Sequence, residues 1–175
     1  KWFCGKTDYI TVPIEEAKDA YYKEFRHKIK VIPQGFNMDE FKDDYVYNKN
    51  TKPTFIYAGV FYKGIRDPRP LLDYLVKKDV DFKFIVYTKT KGIIEPYKKM
   101  LGGRLEIKDY IPRVQLLKEM SKADFLLNIE NNTSLQSPSK LIDYALTKRP
   151  VLSISSNGFL NEKLVDDFLN GDYSN

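Results

Sequence analysis

The chain has 175 residues, 42% hydrophobic and 30% charged, which suits one soluble globular domain with a sizeable core, or one domain plus part of another. No apolar run approaches the roughly 20 residues needed to span a bilayer. A single cysteine, Cys4, excludes an internal disulfide framework or a cysteine zinc cluster and fits a reducing, cytoplasmic setting. In chain order, residues 9–12 read as a strand, 15–25 as a helix and 29–32 as a second strand. Pro33-Gln34-Gly35-Phe36-Asn37 then turns, and a polar stretch through Asp43, Asp44, Asn48 and Asn50 reads as a linker.

From Pro53 onward short apolar runs alternate with helical patterns. The runs 54–59, 82–88, 105–108, 124–129 and 150–154 are rich in Ile, Val, Leu, Phe and Tyr, as expected of strands buried on both faces. Helical patterns cover 68–77, 94–101, 112–122 and 138–147, and a last one runs over 158–169. Three of them begin with Pro near the first turn, and Gly102-Gly103 stands where a left-handed C-cap would close the second. Strand–helix alternation with short connections predicts an α/β fold, a doubly wound parallel sheet with helices on both faces. Ligands of such sheets bind outside the carboxyl ends of the strands. That directs attention to the loops 59–67, 88–93, 110–113, 130–139 and 155–158. The first is notable for Gly and basic residues, the fourth for its length and polarity.

The net charge of +5 gathers in the middle: residues 51–118 carry a balance of +8, against zero before them and −3 after. Such a segment attracts phosphorylated ligands or an anionic membrane surface. No zinc-finger spacing, RNP signature or basic heptad points to nucleic acid. One segment joins several signals. Ser137 can cap a helix and Pro138 fits its first position, so the helix start offers unpaired N–H groups to a phosphate. Asp143, one turn further in, can accept hydrogen bonds from a sugar hydroxyl. His27, the only histidine, sits at a helix end and has no catalytic partner pattern.

Three segments resemble parts of the GT-B glycosyltransferases, in the right order. Lys30-Val31-Ile32-Pro33-Gln34-Gly35-Phe36-Asn37, with Phe41 following, resembles the segment joining their two domains. Phe55-Ile56-Tyr57-Ala58-Gly59, continuing to Gly64, resembles the first strand and glycine loop of their C-terminal, donor-binding domain. The 138–147 helix, followed by Lys148-Arg149-Pro150-Val151-Leu152, resembles a segment of the same domain in which a Gly normally stands where Arg149 is. The resemblance implies a Rossmann-like C-terminal half of a GT-B fold. Residues 1–50 would be the end of the acceptor domain plus the hinge, and 51–175 the nucleotide-sugar-binding domain, stopping before the family's final crossing helix.

The resemblance further implies transfer of a sugar from a nucleoside-diphosphate donor, UDP- or GDP-linked, to a hydroxyl of a sugar or lipid-linked acceptor, in cell-surface polysaccharide or glycoconjugate synthesis. No cofactor and no metal are expected. Carried over residue by residue, Gly59 lets the backbone approach the diphosphate, with Lys63 or Arg66 as its basic partner and Ser139 and Lys140 at the helix start. Asp143 matches the second of the family's paired acids, which holds the ribose hydroxyls. The first acid would fall at Leu135 and is absent, leaving Glu130 as the acid nearest the donor sugar. The general base belongs to the acceptor domain, so these residues alone should bind nucleotide and transfer sugar poorly. The alternatives are a GT-B-type epimerase or phosphorylase, or a non-catalytic nucleotide-binding domain of receiver type. The lone His27 argues against an epimerase. The absence of paired acids after the 54–59 strand argues against a receiver.

Overall fold

The computed structural model describes residues 1–33, 35, 49–130, 140–155 and 158–174. Two compact units divide them: one holds residues 1–33, 35 and 140, the other residues 49–130, 141–155 and 158–174. Most of the expected hinge, the positions Leu135, Ser137 and Pro138, and the candidate Ser139 lie outside the described residues.

The first unit begins with a short helix, α1 (Trp2–Lys6), followed by β1 (Ile10–Val12) and β2 (Ile29–Val31), which pair in parallel with Ile10 opposite Ile29. Lys28 Nζ donates to Thr7 O at 2.8 Å and Cys4 O at 3.4 Å, placing a cation on the carbonyl end of α1. Ile10, Val12, Ala17 and Ile29 form a small core that Cys4 and Phe25 pack against. The helix expected over 15–25 is instead two 3₁₀ segments, Glu15–Ala20 and Lys23–Lys28. Only Ala17 is buried in the first and nothing in the second. Without an apolar stripe to bury, a longer α-helix gains little from packing, and short i→i+3 turns suffice to return the chain to β2.

The second unit carries a five-stranded parallel sheet of order β5-β4-β3-β6-β7. Its strands are β3 (Thr54–Ala58), β4 (Lys83–Tyr87), β5 (Leu105–Lys108), β6 (Phe125–Ile129) and β7 (Val151–Ile154). They fall within one residue of the expected runs. The connecting helices are α2 (Arg69–Lys77), α3 (Glu95–Leu101), α4 (Arg113–Ser121) and α5 (Lys140–Thr147), with α6 (Glu162–Leu169) after the last strand. Gly102 closes α3 at φ 56°, as its position in the sequence suggests. The left-handed residue after α5 is Lys148, at φ 55°, so the turn that normally uses a glycine is made one position before Arg149 by a lysine.

The chain steps outward from β3 to β5, then crosses back to β6 and steps the other way. Right-handed crossovers therefore place α2 and α3 on one face and α4 and α5 on the other. Leu71, Leu72 and Leu75 of α2 share one core with Phe55, Tyr57, Phe84 and Val86, and with Val165 and Phe168 of α6. An ion pair from Lys78 Nζ to Asp166 Oδ2 at 2.8 Å fixes α6 beside α2. The alternate strand residues Ile56, Ile85 and Leu126 point to the opposite face and are also buried, which explains the unbroken apolar runs.

Phe84, Phe55 and Phe125 stand level on β4, β3 and β6. The rings stack with centroids 4.4 Å and 4.7 Å apart. Each such contact contributes about 0.5–1.5 kcal/mol beyond area burial.

One buried carboxylate ties the amino ends of the strands together. Asp124, 5% exposed, accepts from Thr54 N at 2.8 Å and Asn50 Nδ2 at 3.1 Å through Oδ2, while Asp124 N donates to Thr54 O at 2.8 Å. Asp124→Ala is expected to cost about 2–3 kcal/mol, because it leaves buried N–H donors without an acceptor. Denaturant unfolding checks this; a loss below about 0.5 kcal/mol would show that water replaces the carboxylate.

Candidate functional site

The strand order reverses between β3 and β6, and the two strands part early. Phe55 pairs with Phe125 and Ile56 with Leu126, but Tyr57 and Ala58 pair only with β4. A crevice at the carboxyl ends follows from that divergence. The Tyr144 hydroxyl of α5 fills its base, donating to Leu127 O at 3.1 Å. Burial raises the Tyr144 phenol well above its ordinary range, so it stays neutral and able to donate. Thr147 Oγ1 donates back to Tyr144 O at 2.7 Å, helping to set the end of α5.

One lip of the crevice is the loop after β3. Gly59 N donates to Tyr87 O at 3.0 Å, and Gly59 has φ 154°. A Cβ on Gly59 would lie 3.0 Å from the Tyr57 hydroxyl and 3.3 Å from its ring, so a side chain there would crowd the buried tyrosine at a φ that L residues rarely adopt. Tyr57 stacks on Phe61 with centroids 4.6 Å apart and donates to Val60 O at 3.3 Å. Burial pushes its phenol up to about 12, opposed by the nearby Arg66 charge. Phe61 N donates to Thr90 Oγ1 at 2.9 Å, anchoring this loop to the loop after β4.

Beyond Phe61 the chain makes a tight hairpin. Tyr62 N donates to Arg66 O at 3.2 Å and Arg66 N to Tyr62 O at 2.9 Å, with Gly64 at φ 78° in the turn. This places exposed Lys63 in the turn and half-buried Arg66 at its base, on the Tyr57 side. Asp67 closes the loop: its carboxylate accepts from Arg69 N at 3.1 Å and Arg69 Nε at 2.8 Å. The Arg69 guanidinium holds that carboxyl below its usual range.

The other lip belongs to β6 and α5. Glu130 is exposed just past β6, and its N–H donates to Ile154 O at 3.0 Å, so its backbone stays with β7 while its side chain meets solvent. Lys140 opens α5 and its ammonium is withdrawn from solvent. Asp143 lies in the first turn of α5 and is joined by a residue to which no motif pointed. Arg113, the first residue of α4, donates to Asp143 Oδ1 from Nε at 2.9 Å and from Nη2 at 2.6 Å. With side chains 41% and 24% exposed, the pair contributes on the order of 0–1 kcal/mol to stability. A cation at a helix start opposes the helix dipole, and that is the signal in the sequence that could have marked Arg113.

Thus Gly59, Lys63 and Arg66 share one loop, and Asp143 stands on the helix whose Tyr144 fills the crevice base. Among the described residues no His, Cys, Asp and Glu group could hold a metal ion. Two surface cavities lie elsewhere. One of about 490 Å³ runs along β5 and α4, lined by Tyr87, Lys108 and Lys118 among others. The other, of about 370 Å³, runs between β7 and α6. Neither includes a candidate residue. No helix among the described residues is long and apolar enough to cross a membrane.

No protein-family model and no curated protein matches the chain. Solved structures do. The apo form of the lipopolysaccharide outer core galactosyltransferase WaaB superposes with TM-score 0.65 and 13% identity over 96% of this chain and 54% of that one. Anabaena HepE in complex with UDP-glucose gives 0.60 and 10% identity over 84% of this chain and 44% of that one. A glycosyltransferase from Rickettsia africae gives 0.61 and 14% identity over 83% and 44%. The chain spans about half the length of these structures. At such identities the likeness is one of fold: this α/β, Rossmann-like sheet has the architecture of GT-B glycosyltransferases.

The crevice geometry yields a direct test. Tyr144→Phe removes a buried hydroxyl and leaves the Leu127 carbonyl without that partner. A loss of about 1–3 kcal/mol in unfolding free energy is expected. Unchanged stability, measured by denaturant titration, would show that the hydroxyl does not hold the parted strands.

Proposed function

We propose that this chain is the nucleotide-sugar-binding part of a glycosyltransferase, one that moves a sugar from a nucleoside-diphosphate donor to an acceptor hydroxyl. The observation that carries the reading is the parting of β3 and β6 at the reversal of strand order, with a basic glycine loop following β3 and Asp143 in the first turn of α5 after β6. Breaking the glycosidic bond leaves growing negative charge on the diphosphate. Fixed cations and backbone N–H groups aimed there stabilise it, each by about 3 kcal/mol where the group is preorganised.

Lys63 or Arg66 of the loop is assigned to the diphosphate. Ser139 and Lys140 are assigned to the same phosphates, Asp143 to the ribose hydroxyls and Glu130 to the donor sugar. The HepE structure holds UDP-glucose, which makes UDP the first nucleotide to try. The transfer needs no metal or other cofactor in this reading. A lipid-linked or sugar acceptor in cell-surface polysaccharide synthesis suits the basic segment 51–118, as does peripheral attachment to a cytoplasmic membrane surface.

Calorimetry of the chain against UDP, GDP, CDP and ADP tests the donor. One nucleotide should bind, and Asp143→Ala should weaken it by about 1–3 kcal/mol. Binding of none of the four overturns the reading; unchanged affinity in the variant removes Asp143 from the ribose. For the membrane, co-sedimentation with liposomes should rise with anionic lipid and fall with salt. Retention independent of both would count against the surface attachment.

A further inference from the structure

Among the described residues Arg113 is the one charged residue that reaches the proposed ribose acid from another helix. Its hydrogen bonds to Asp143, from Nε and from Nη2, converge on Oδ1. Among the described residues Oδ2 takes no hydrogen bond. The carboxylate is thus held by one oxygen and presents the other. Helix stability does not account for the arrangement: Arg113 begins α4, where the dipole disfavours a cation, and the pair is too exposed to contribute much to folding.

We propose that Arg113 is a positioning residue for nucleotide recognition: it fixes the rotamer of Asp143 and cancels its charge, so that Oδ2 accepts from a ribose hydroxyl without repelling the neighbouring diphosphate. The inference rests on the nucleotide-sugar reading above. A lone carboxylate beside a diphosphate would set like charges against each other. An Arg–Asp pair is neutral overall, yet keeps a strong anionic acceptor directed at the sugar. Two fixed N–H donors on one oxygen also restrict the Asp143 carboxylate to a narrow range of orientations, which a lysine in that place would not do.

The consequence is discrimination between ribose and deoxyribose. The test is calorimetry of the full chain with the nucleoside diphosphate that it prefers, for instance UDP, against the 2′,3′-dideoxy analogue. The wild-type chain should prefer the ribonucleotide. Arg113→Ala should reduce that preference about tenfold, and Arg113→Lys should restore part of it. In an Asp143→Ala background, Arg113→Ala should change the preference no further, since the arginine acts through the carboxylate. Thermal unfolding of Arg113→Ala should stay close to wild type, as expected of an exposed pair.

A wild-type preference retained in Arg113→Ala overturns the proposal. So does a second, additive loss in the Asp143→Ala background, which would place Arg113 on the ligand itself. If the wild-type chain binds nucleotide with no ribose preference, Asp143 is not the ribose acid and the positioning role falls with it. Binding of none of the four nucleotides overturns the earlier functional reading, a result distinct from either failure of Arg113.

Discussion

The carboxyl rim of the sheet depends on two strands that stop pairing before they end. β3 and β6 share the register Phe55–Phe125 and Ile56–Leu126, after which β3 stays with β4 and β6 with β7. Parting buried strands leaves backbone donors and acceptors without ladder partners, a cost that recurs at every such reversal. Here the cost is offset by a side chain. The Tyr144 hydroxyl donates to Leu127 O at 3.1 Å, so one phenol supplies a partner that the ladder does not. Because Tyr144 belongs to α5, the same contact sets the helix that carries Asp143.

The stacked rings of Phe84, Phe55 and Phe125 hold the strands below that point. They hold the register firmly at the one place where sequence neighbours do not help, since β3 and β6 are joined only through two outward strands and a crossing helix. Above the rings, Tyr57 crowds the space that a side chain at residue 59 would need. The glycine is therefore favoured by packing as well as by any approach of a phosphate. Phe61 N and Thr90 Oγ1 then couple the loop after β3 to the loop after β4. The glycine loop is a braced element, which suits a site whose donors must be in place before charge develops.

The five sheet strands were legible because each is buried on both faces and reads as a short apolar run between turn residues. The helices after Pro68, Ile94 and Pro112 were legible for the matching reason, a proline at the first turn and an apolar stripe behind it. Residues 15–25 misled because a helix-like composition there lacks a stripe to bury, and the chain settled for 3₁₀ turns. The glycine expected near Arg149 gave way to Lys148 in a left-handed conformation, a local strain that sequence pattern does not reveal. Gly59, Lys63 and Arg66 fall in one loop by sequence and share it in space. The Arg113–Asp143 pair joins residues on successive helices, and no local periodicity records a contact made across a crossover and a strand.

The charge count also changes meaning once the pairs are known. The +8 of residues 51–118 suggests a broad positive field, and the acids inside the segment are already subtracted in it, but several of its cations are tied to particular carboxylates. At the rim, Arg69 lies on Asp67, Lys91 on Asp109 at 2.6 Å and Arg113 on Asp143; along the flank, Lys83 and Lys108 both lie on Glu106. Among the described residues Lys63 makes no ion pair, and the charge of Arg66 lies close enough to Tyr57 to oppose the rise that burial imposes on its phenol. In the proposed site a diphosphate would be met by the few cations placed there, within a segment whose remaining charge is diffuse. Placed cations discriminate by geometry, whereas a diffuse field attracts any anion and is screened by salt. That difference is what would let a lysine-rich chain carry the proposed nucleotide site.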